Sequence, residues 1–343
     1  MKKKLIILGI ETSCDDTAVS IIRNTKVLSN IILHQKIHKK YGGVVPELAA
    51  RYHDKNIYFA VNKAIVVSKI NKYQIDAVSF TLGPGLIGSL LIGASFAKSF
   101  SIGLKIPLIS VNHIRAHILT HFINDANINN KIPKFPFLCL MISGGHTQII
   151  LVDDFFKMKI LGSTLDNPVG ETLDKIARIF GFSYPGGPIL DFFSKNGNSQ
   201  KFIFSKPLVN GLNFSFSGFK SQVIQFIKNE TKKDSFFIKK NLSDLCASVQ
   251  KIIAEILLEK IKKATLKTKI FRIVLAGGVS ANNEIRRLFL LQKKKNKKWE
   301  IFLLKKKYTT DNGAMIAIAG LLKYKQHLFS TIDVTSYSKF KKF

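Results

Sequence analysis

The chain has 343 residues and a formal net charge of +31, from 53 Lys+Arg against 22 Asp+Glu. That length holds about two domains with proper cores, and 46% hydrophobic residues exclude a disordered chain despite the charge. The three scattered cysteines, Cys14, Cys139 and Cys246, exclude a disulfide framework and a Cys-based zinc site, and favour a reducing, cytoplasmic compartment.

The start, Met1-Lys2-Lys3-Lys4 and the apolar run to Ile10, imitates a signal peptide. The run is short and ends in Glu11-Thr12-Ser13-Cys14-Asp15-Asp16, with no small-residue cleavage site. Residues 5–10, 18–23 and 27–33 are predicted as three short strands joined by turns. A helix follows over 46–70 with Pro46 near its start. Residues 77–97 carry no charge and are long enough for a bilayer. Gly83-Pro84-Gly85 breaks them into a strand over 77–82 and a helix over 86–100. A strand over 107–111 and a helix over 113–122 complete this half. A similar order then begins again. Strands are predicted over 137–142, 148–152 and 159–162, and helices over 170–180, 189–193, 217–228 and 242–263. A strand over 271–276, a helix over 281–291, a strand over 300–304 and a helix over 312–323 follow. Three antiparallel strands and then alternating α and β, occurring twice, imply two related α/β lobes with a cleft between them. The expected boundaries give an N-terminal lobe over 1–110, with residues 324–343 packing back on it. Residues 111–323 form the other lobe, with the metal and nucleotide sites.

His113-Ile114-Arg115-Ala116-His117 places two imidazoles at i and i+4, on one helix face, a spacing that can hold one metal ion. Chance pairs at this spacing are common. A zinc-peptidase helix needs glutamate after the first histidine, and Ile114 stands there. His121 lies one turn too far and is expected on the surface or behind the ligands. Ser143-Gly144-Gly145-His146-Thr147 reads as an anion-approaching turn, with Ser143 and Thr147 offering hydroxyls, or as an ordinary hairpin. Ala276-Gly277-Gly278-Val279-Ser280-Ala281-Asn282 follows a strand and opens a helix, so it reads as a nucleotide turn or any βα turn. It is neither a P-loop nor G-x-G-x-x-G. The acids of the first turn, Glu11, Asp15 and Asp16, suit water, a metal or a turn cap. Asp311 reads as a helix start or as a third ligand completing two His and one carboxylate.

Lysine accounts for most of the positive charge, since seven of the 53 basic residues are arginine. Lys, Asn, Ile and Phe are all abundant, as drift in an A+T-rich coding sequence would produce. The alternative is attraction to a polyanion such as RNA. The lysine runs at 293–298 and 305–307 carry the same two readings, a solvated loop surface or an RNA-facing patch.

Taken in order, these motifs resemble one family, the universal tRNA threonylcarbamoyladenosine transferases, once called O-sialoglycoprotein endopeptidases. The resemblance runs from Gly9 to about Leu322. It adds Tyr41-Gly42-Gly43-Val44-Val45-Pro46-Glu47, Gly170-Glu171 with Asp174-Lys175, Tyr184-Pro185-Gly186-Gly187-Pro188, Phe214-Ser215-Phe216-Ser217-Gly218 and Asp311-Asn312-Gly313-Ala314-Met315-Ile316. It implies an actin-like, sugar-kinase-like (ribonuclease-H-like) double lobe with an adenylate in the cleft. It implies transfer of threonylcarbamoyl from threonylcarbamoyl-AMP to N6 of the adenine 3′-adjacent to the anticodon, in tRNAs reading codons that begin with A. It implies a divalent metal, Fe²⁺ or Zn²⁺, on His113, His117 and Asp311, and no further catalytic residue. Met141, Ile142, Ser143, Gly144 and Gly145 are expected at the phosphate and acyl end. Asp174, Gly187 and Asp191 are expected at the ribose, and Asn282 at the adenine. The implied partners are tRNA, a small non-catalytic paralogous subunit and a P-loop ATPase subunit, without a membrane. Asn167-Pro168-Val169 departs from the small or acidic residues usual there, and Thr309 replaces a frequent cysteine. The rival readings are a metal-dependent glycoprotein endopeptidase, a small-molecule kinase of the same fold and a catalytically silent RNA-binding subunit.

Overall fold

The computed structural model describes residues 4–124 and 131–339. The chain divides into two compact units, residues 1–132 with 310–343, and residues 133–309.

The first unit is built on a five-stranded mixed sheet. Its strands are β1 (Ile6–Glu11), β2 (Asp16–Arg23), β3 (Lys26–His34), β4 (Ala77–Gly83) and β5 (Leu108–Asn112), in the order β3-β2-β1-β4-β5. β1 pairs antiparallel with β2 and parallel with β4. Alternation along β1 sends Ile6, Leu8 and Ile10 into a core shared with α1 (Pro46–Ser68) and α2 (Ile87–Leu104), through Ile57, Ala60, Ala94 and Ala97. α2 is long and apolar enough to cross a membrane by composition. Here it packs on α1, β4 and β1 as a helix of this core.

The other face of β1 carries α9 (Gly313–Tyr324), which lies across β1, β2 and β4 with α3 (His113–Leu119) beside it. The approach is close because Gly9 has no side chain. A Cβ there would fall onto the backbone of Ala317 and Gly313. Ser79 Oγ ties the layers, donating to the carbonyls of Leu8 and Ile316, each at 3.1 Å.

The second unit repeats the plan. Its strands are β6 (Phe137–Ile142), β7 (Thr147–Val152), β8 (Met158–Ser163), β9 (Arg272–Ala276) and β10 (Glu300–Leu303), in the order β10-β9-β6-β7-β8. β6 pairs antiparallel with β7 and parallel with β9, as β1 does with β2 and β4. Leu138, Leu140 and Ile142 enter one large core with residues from five helices. These are α4 (Val169–Ile179), α5 (Gly186–Phe193), α6 (Ser217–Lys233), α7 (Phe237–Thr268) and α8 (Asn283–Lys295).

The expected lobe boundary needs correction. β5 is bonded into the first sheet and runs straight into α3. Asp311 immediately precedes α9, which packs on that same sheet. The three expected metal ligands therefore belong to the first unit, and the expected nucleotide residues to the second. α7 and α8 also run beyond their expected ends, to Thr268 and Lys295. The first lysine run is thus partly the last turn of α8, where cations complement the helix dipole.

Gly9→Ala is expected to lower the stability of the first unit by about 2–3 kcal/mol, since backbone rather than a mobile side chain must give way. A loss below about 0.5 kcal/mol in urea denaturation would show that α9 does not rest on β1 in this way.

Candidate metal centre and nucleotide-binding turns

Asn112, the last residue of β5, caps α3 by accepting from Arg115 N–H at 3.0 Å. His113 thus starts the helix and His117 follows one turn later. Asn312 caps α9 in the same way, accepting from Met315 N–H at 3.0 Å, and fixes the preceding Asp311. His117 Nε2 lies 3.1 Å and His113 Nε2 3.6 Å from Asp311 Oδ1. One ligand atom from each residue falls within 4.8 Å of the others.

Glu11, at the end of β1, orients the pair. Its Oε2 lies 3.2 Å from His113 Nδ1, which directs Nε2 towards Asp311. Ser13 N–H donates to its Oε1 at 2.6 Å, and the Thr81 hydroxyl donates to Oε2. A carboxylate behind a ligating histidine is the usual outer shell of a metal site. Burial alone would raise Glu11, but the charge and hydrogen bond of His113 hold it below the usual carboxylate range. Burial alone would depress His113, but Glu11 and Asp311 raise it to about 9. Burial keeps His117 below the ordinary histidine value.

His117 tests whether the residues fit a metal. It is 1% exposed, its Nδ1 has no hydrogen-bond partner among the described residues, and its Nε2 faces the Asp311 carboxylate at 3.1 Å. A buried imidazole left in that state is costly unless something coordinates it. Two imidazoles and a carboxylate at this separation suit one divalent ion with open positions. His121, by contrast, is buried in the short turn after α3 and is not one of the set. Of the two places expected for it, burial removes the surface.

The turns expected to bind the nucleotide lie at the ends of strands in the second unit. Ser143 N–H donates to the His146 carbonyl at 2.8 Å, closing the β6–β7 hairpin. Gly144 and Gly145 are exposed at its tip. Met141 and Ile142 are wholly buried strand residues that position this turn, so their side chains offer nothing to a ligand there. The Thr147 hydroxyl accepts from Val169 N–H at 2.9 Å and holds the start of α4, and the residue is fully buried. Asp174 Oδ1 accepts from Gly186 N–H at 2.8 Å and Gly187 N–H at 3.0 Å, at the start of α5. Asp191 accepts from Asn283 N–H at 2.9 Å and Asn283 Nδ2 at 2.6 Å. Burial raises both carboxyls despite these donors. Asn282 caps α8 through Ile285 N–H at 3.0 Å and donates to Gln250.

Sequence reasoning missed Asn283, whose Oδ1 also takes a 2.8 Å bond from Lys306. Only its place in the Asn282-Asn283 pair signalled it. Glu11 was legible as an acid, but its partner lies 102 residues away. Asn167 is tied into its loop, donating to Glu171 at 3.0 Å and accepting from the Ser217 hydroxyl at 2.9 Å.

Replacing both His113 and His117 with Ala is expected to abolish stoichiometric metal uptake. Far-ultraviolet circular dichroism should be unchanged, because Ile114, Ile118 and Leu119 still bury the helix. Full metal content in the double variant would remove the assignment.

Comparison with known proteins agrees with this geometry. The family model described as tRNA N6-adenosine threonylcarbamoyltransferase matches residues 26–318. An enzyme of that name from Christiangramia forsetii is 52% identical over 339 residues, covering 99% of both chains. Another from Riemerella anatipestifer is 50% identical over 339 residues, covering 99% of this chain and 98% of its own. The crystal structure of HypF from T. kodakarensis aligns with a TM-score of 0.60 at 13% identity, over 96% of this chain and 49% of that one. At that identity the likeness concerns the two-lobed, actin-like α/β fold alone. Full-length identity near one half settles the kinship: the chain belongs to the tRNA N6-adenosine threonylcarbamoyltransferase family of transferases.

Proposed function

We propose that this chain transfers the threonylcarbamoyl group from threonylcarbamoyl-AMP to N6 of the adenine 3′-adjacent to the anticodon, in tRNAs reading codons that begin with A. AMP is released. The observation that carries the reading is the meeting of His113, His117 and Asp311 in a chain half identical to enzymes of that name. The carbonyl–phosphate bond of a mixed anhydride already has a good leaving group. The enzyme has to hold the carbonyl against a weakly nucleophilic amine and stabilise negative charge on oxygen. His113, His117 and Asp311 would hold Fe²⁺ or Zn²⁺. That ion, when bound, polarises an oxygen and orients the substrate. Ser143, Gly144 and Gly145 take the phosphate and acyl end through backbone N–H groups and a hydroxyl. Asp174, Gly187 and Asp191 take the ribose hydroxyls, which are donors matched to carboxylate lone pairs. Asn282 stands at the adenine.

The peptidase reading finds no support in the geometry. Ile114 occupies the position of the general base and is completely buried. Glu11, the acid behind His113, is held by His113, Ser13 and Thr81. The kinase reading leaves the paired histidines without a role. All three cysteines are free thiols, in keeping with a reducing cytoplasm.

The partners follow from the same reading. α1 and α2 pack together, yet Tyr58, Phe59, Ile87 and Leu91 on them remain exposed. We assign this apolar surface to the small paralogous subunit. A P-loop ATPase subunit and tRNA complete the assembly.

Three measurements test these assignments. Asp174→Asn keeps the acceptor for Gly186 and Gly187 but removes the charge. It should weaken binding of a threonylcarbamoyl-AMP analogue by about 1.5–3 kcal/mol in calorimetry. Unchanged affinity would place the ribose elsewhere. Reconstitution with the partners, threonine, bicarbonate, ATP and unmodified tRNA should yield threonylcarbamoyladenosine by mass spectrometry. Phe59→Asp with Leu91→Asp should abolish association with the paralogue while leaving metal content unchanged. Association at wild-type strength would exclude this surface.

A further inference from the structure

We propose that the segment over residues 330–338 is a strap that sets the metal centre through Tyr337, a positioning residue. The proposal rests on the reading of His113, His117 and Asp311 as metal ligands. The strap belongs to the first unit and follows its edge strand, β5. Ser330 N–H donates to the Leu108 carbonyl at 2.8 Å, and Ser330 Oγ accepts from Ser110 N–H at 3.0 Å. Further along, Lys98 Nζ donates to the Val334 carbonyl at 2.8 Å. Tyr337 N–H donates to the Leu82 carbonyl at 3.2 Å, and Gly85 N–H donates to the Ser338 carbonyl at 3.3 Å. The strap is therefore held by the edge strand β5 at its start, by α2 at its middle, and by β4 and the turn after it at its end.

It ends on the metal helix. Asn112 Nδ2 donates to the Tyr337 hydroxyl at 2.9 Å, while Asn112 Oδ1 caps α3 through Arg115 N–H. One side chain thus joins the strap to the first turn of the helix, and His113 is the next residue. Tyr337 cannot drift, because its ring and carbonyl lie against Gly83. A Cβ on Gly83 would meet the ring at 2.8 Å, and the φ of +152° at that residue favours glycine. Arg115 N–H takes the amide oxygen and the Tyr337 hydroxyl takes the amide nitrogen, so the cap is fixed from both ends. Without the hydroxyl, the Asn112 amide is held at one end only, the first turn of α3 loosens, and His113 loses part of its aim at Asp311. Outer partners of ligating histidines typically change metal affinity by about 10–100-fold. Tyr337 acts through Asn112, one residue further out, and a smaller effect is expected.

The test is titration of the metal-free, full-length protein with Co²⁺, followed by calorimetry and by visible absorption of the bound ion. Tyr337→Phe keeps the packed ring and removes only the hydroxyl. It should bind Co²⁺ about three- to tenfold more weakly, with an altered absorption envelope. The thermal midpoint of the metal-free protein should be unchanged. Asn112→Ser keeps a helix cap but cannot reach Tyr337. It should show a similar loss, and adding Tyr337→Phe to it should cost nothing more. Wild-type affinity and absorption in Tyr337→Phe would overturn the strap's role while leaving the metal reading intact. Additive losses in the double variant would overturn the route through Asn112. A wild-type protein that takes up no Co²⁺ would overturn the metal reading and the strap together.

Discussion

Two imidazoles buried with their ring centroids 4.6 Å apart are the costly feature on which the first unit is organised. His113 recovers part of the desolvation cost from Glu11, and His117 has only the Asp311 carboxylate beside its Nε2. Each neighbouring element then has a reason for its place. β1 must end in Glu11, β5 must deliver His113 at once, and α9 must begin just after Asp311. These three chain segments come together only because α9 lies flat on β1. The closeness that Gly9 permits is therefore a condition of the candidate metal centre as well as of the core.

The two units share a strand plan, and in each a turn bearing polar groups follows the central strand. After β1 comes the acidic turn with Thr12, Ser13 and Asp15. After β6 comes the hairpin with Gly144 and Gly145. The parallel strands β9 and β10 also end on this side of the second sheet, at Gly277 and near Lys305, as expected for ligand sites at strand carboxyl ends. This separates the two lysine runs. Residues 305–307 lie beside the start of α8, where Lys306 meets Asn283. Residues 293–298 lie at its far end, roughly 18 Å away along the helix axis. Sequence alone presents them as one patch because they flank the same strand.

Most of the fold was legible because its signals are local. The apolar alternation of β1 and β6, the glycine turns and the paired histidines all lie within a few residues of one another. The duplication was legible too, since the same order of elements recurs. What escaped was set by distance along the chain. Nothing near Glu11 indicates His113, and nothing near Asn112 indicates Tyr337. The lobe boundary escaped for the same reason. A chain that leaves the first unit at residue 132 and returns at 310 cannot be divided by reading it once from end to end.

The expected site residues share a second task that the motifs do not advertise. Asn282 caps α8, Asp174 holds the first N–H groups of α5, and Asp191 holds the first residue of α8. Asn112 and Asn312, beside the metal ligands, cap α3 and α9. Helix starts gather unpaired N–H groups and partial positive charge, which suits both capping side chains and anionic ligands. One physical property therefore builds the scaffold and prepares the site. It also makes the two carboxylates expected at the ribose unequal as probes. Asparagine at 174 still accepts from both glycine N–H groups. Asparagine at 191 has one acceptor where Asn283 presents two donors, so the start of α8 is disturbed along with the charge. A loss of nucleotide affinity at 174 reports on the ligand, whereas the same loss at 191 mixes ligand with scaffold.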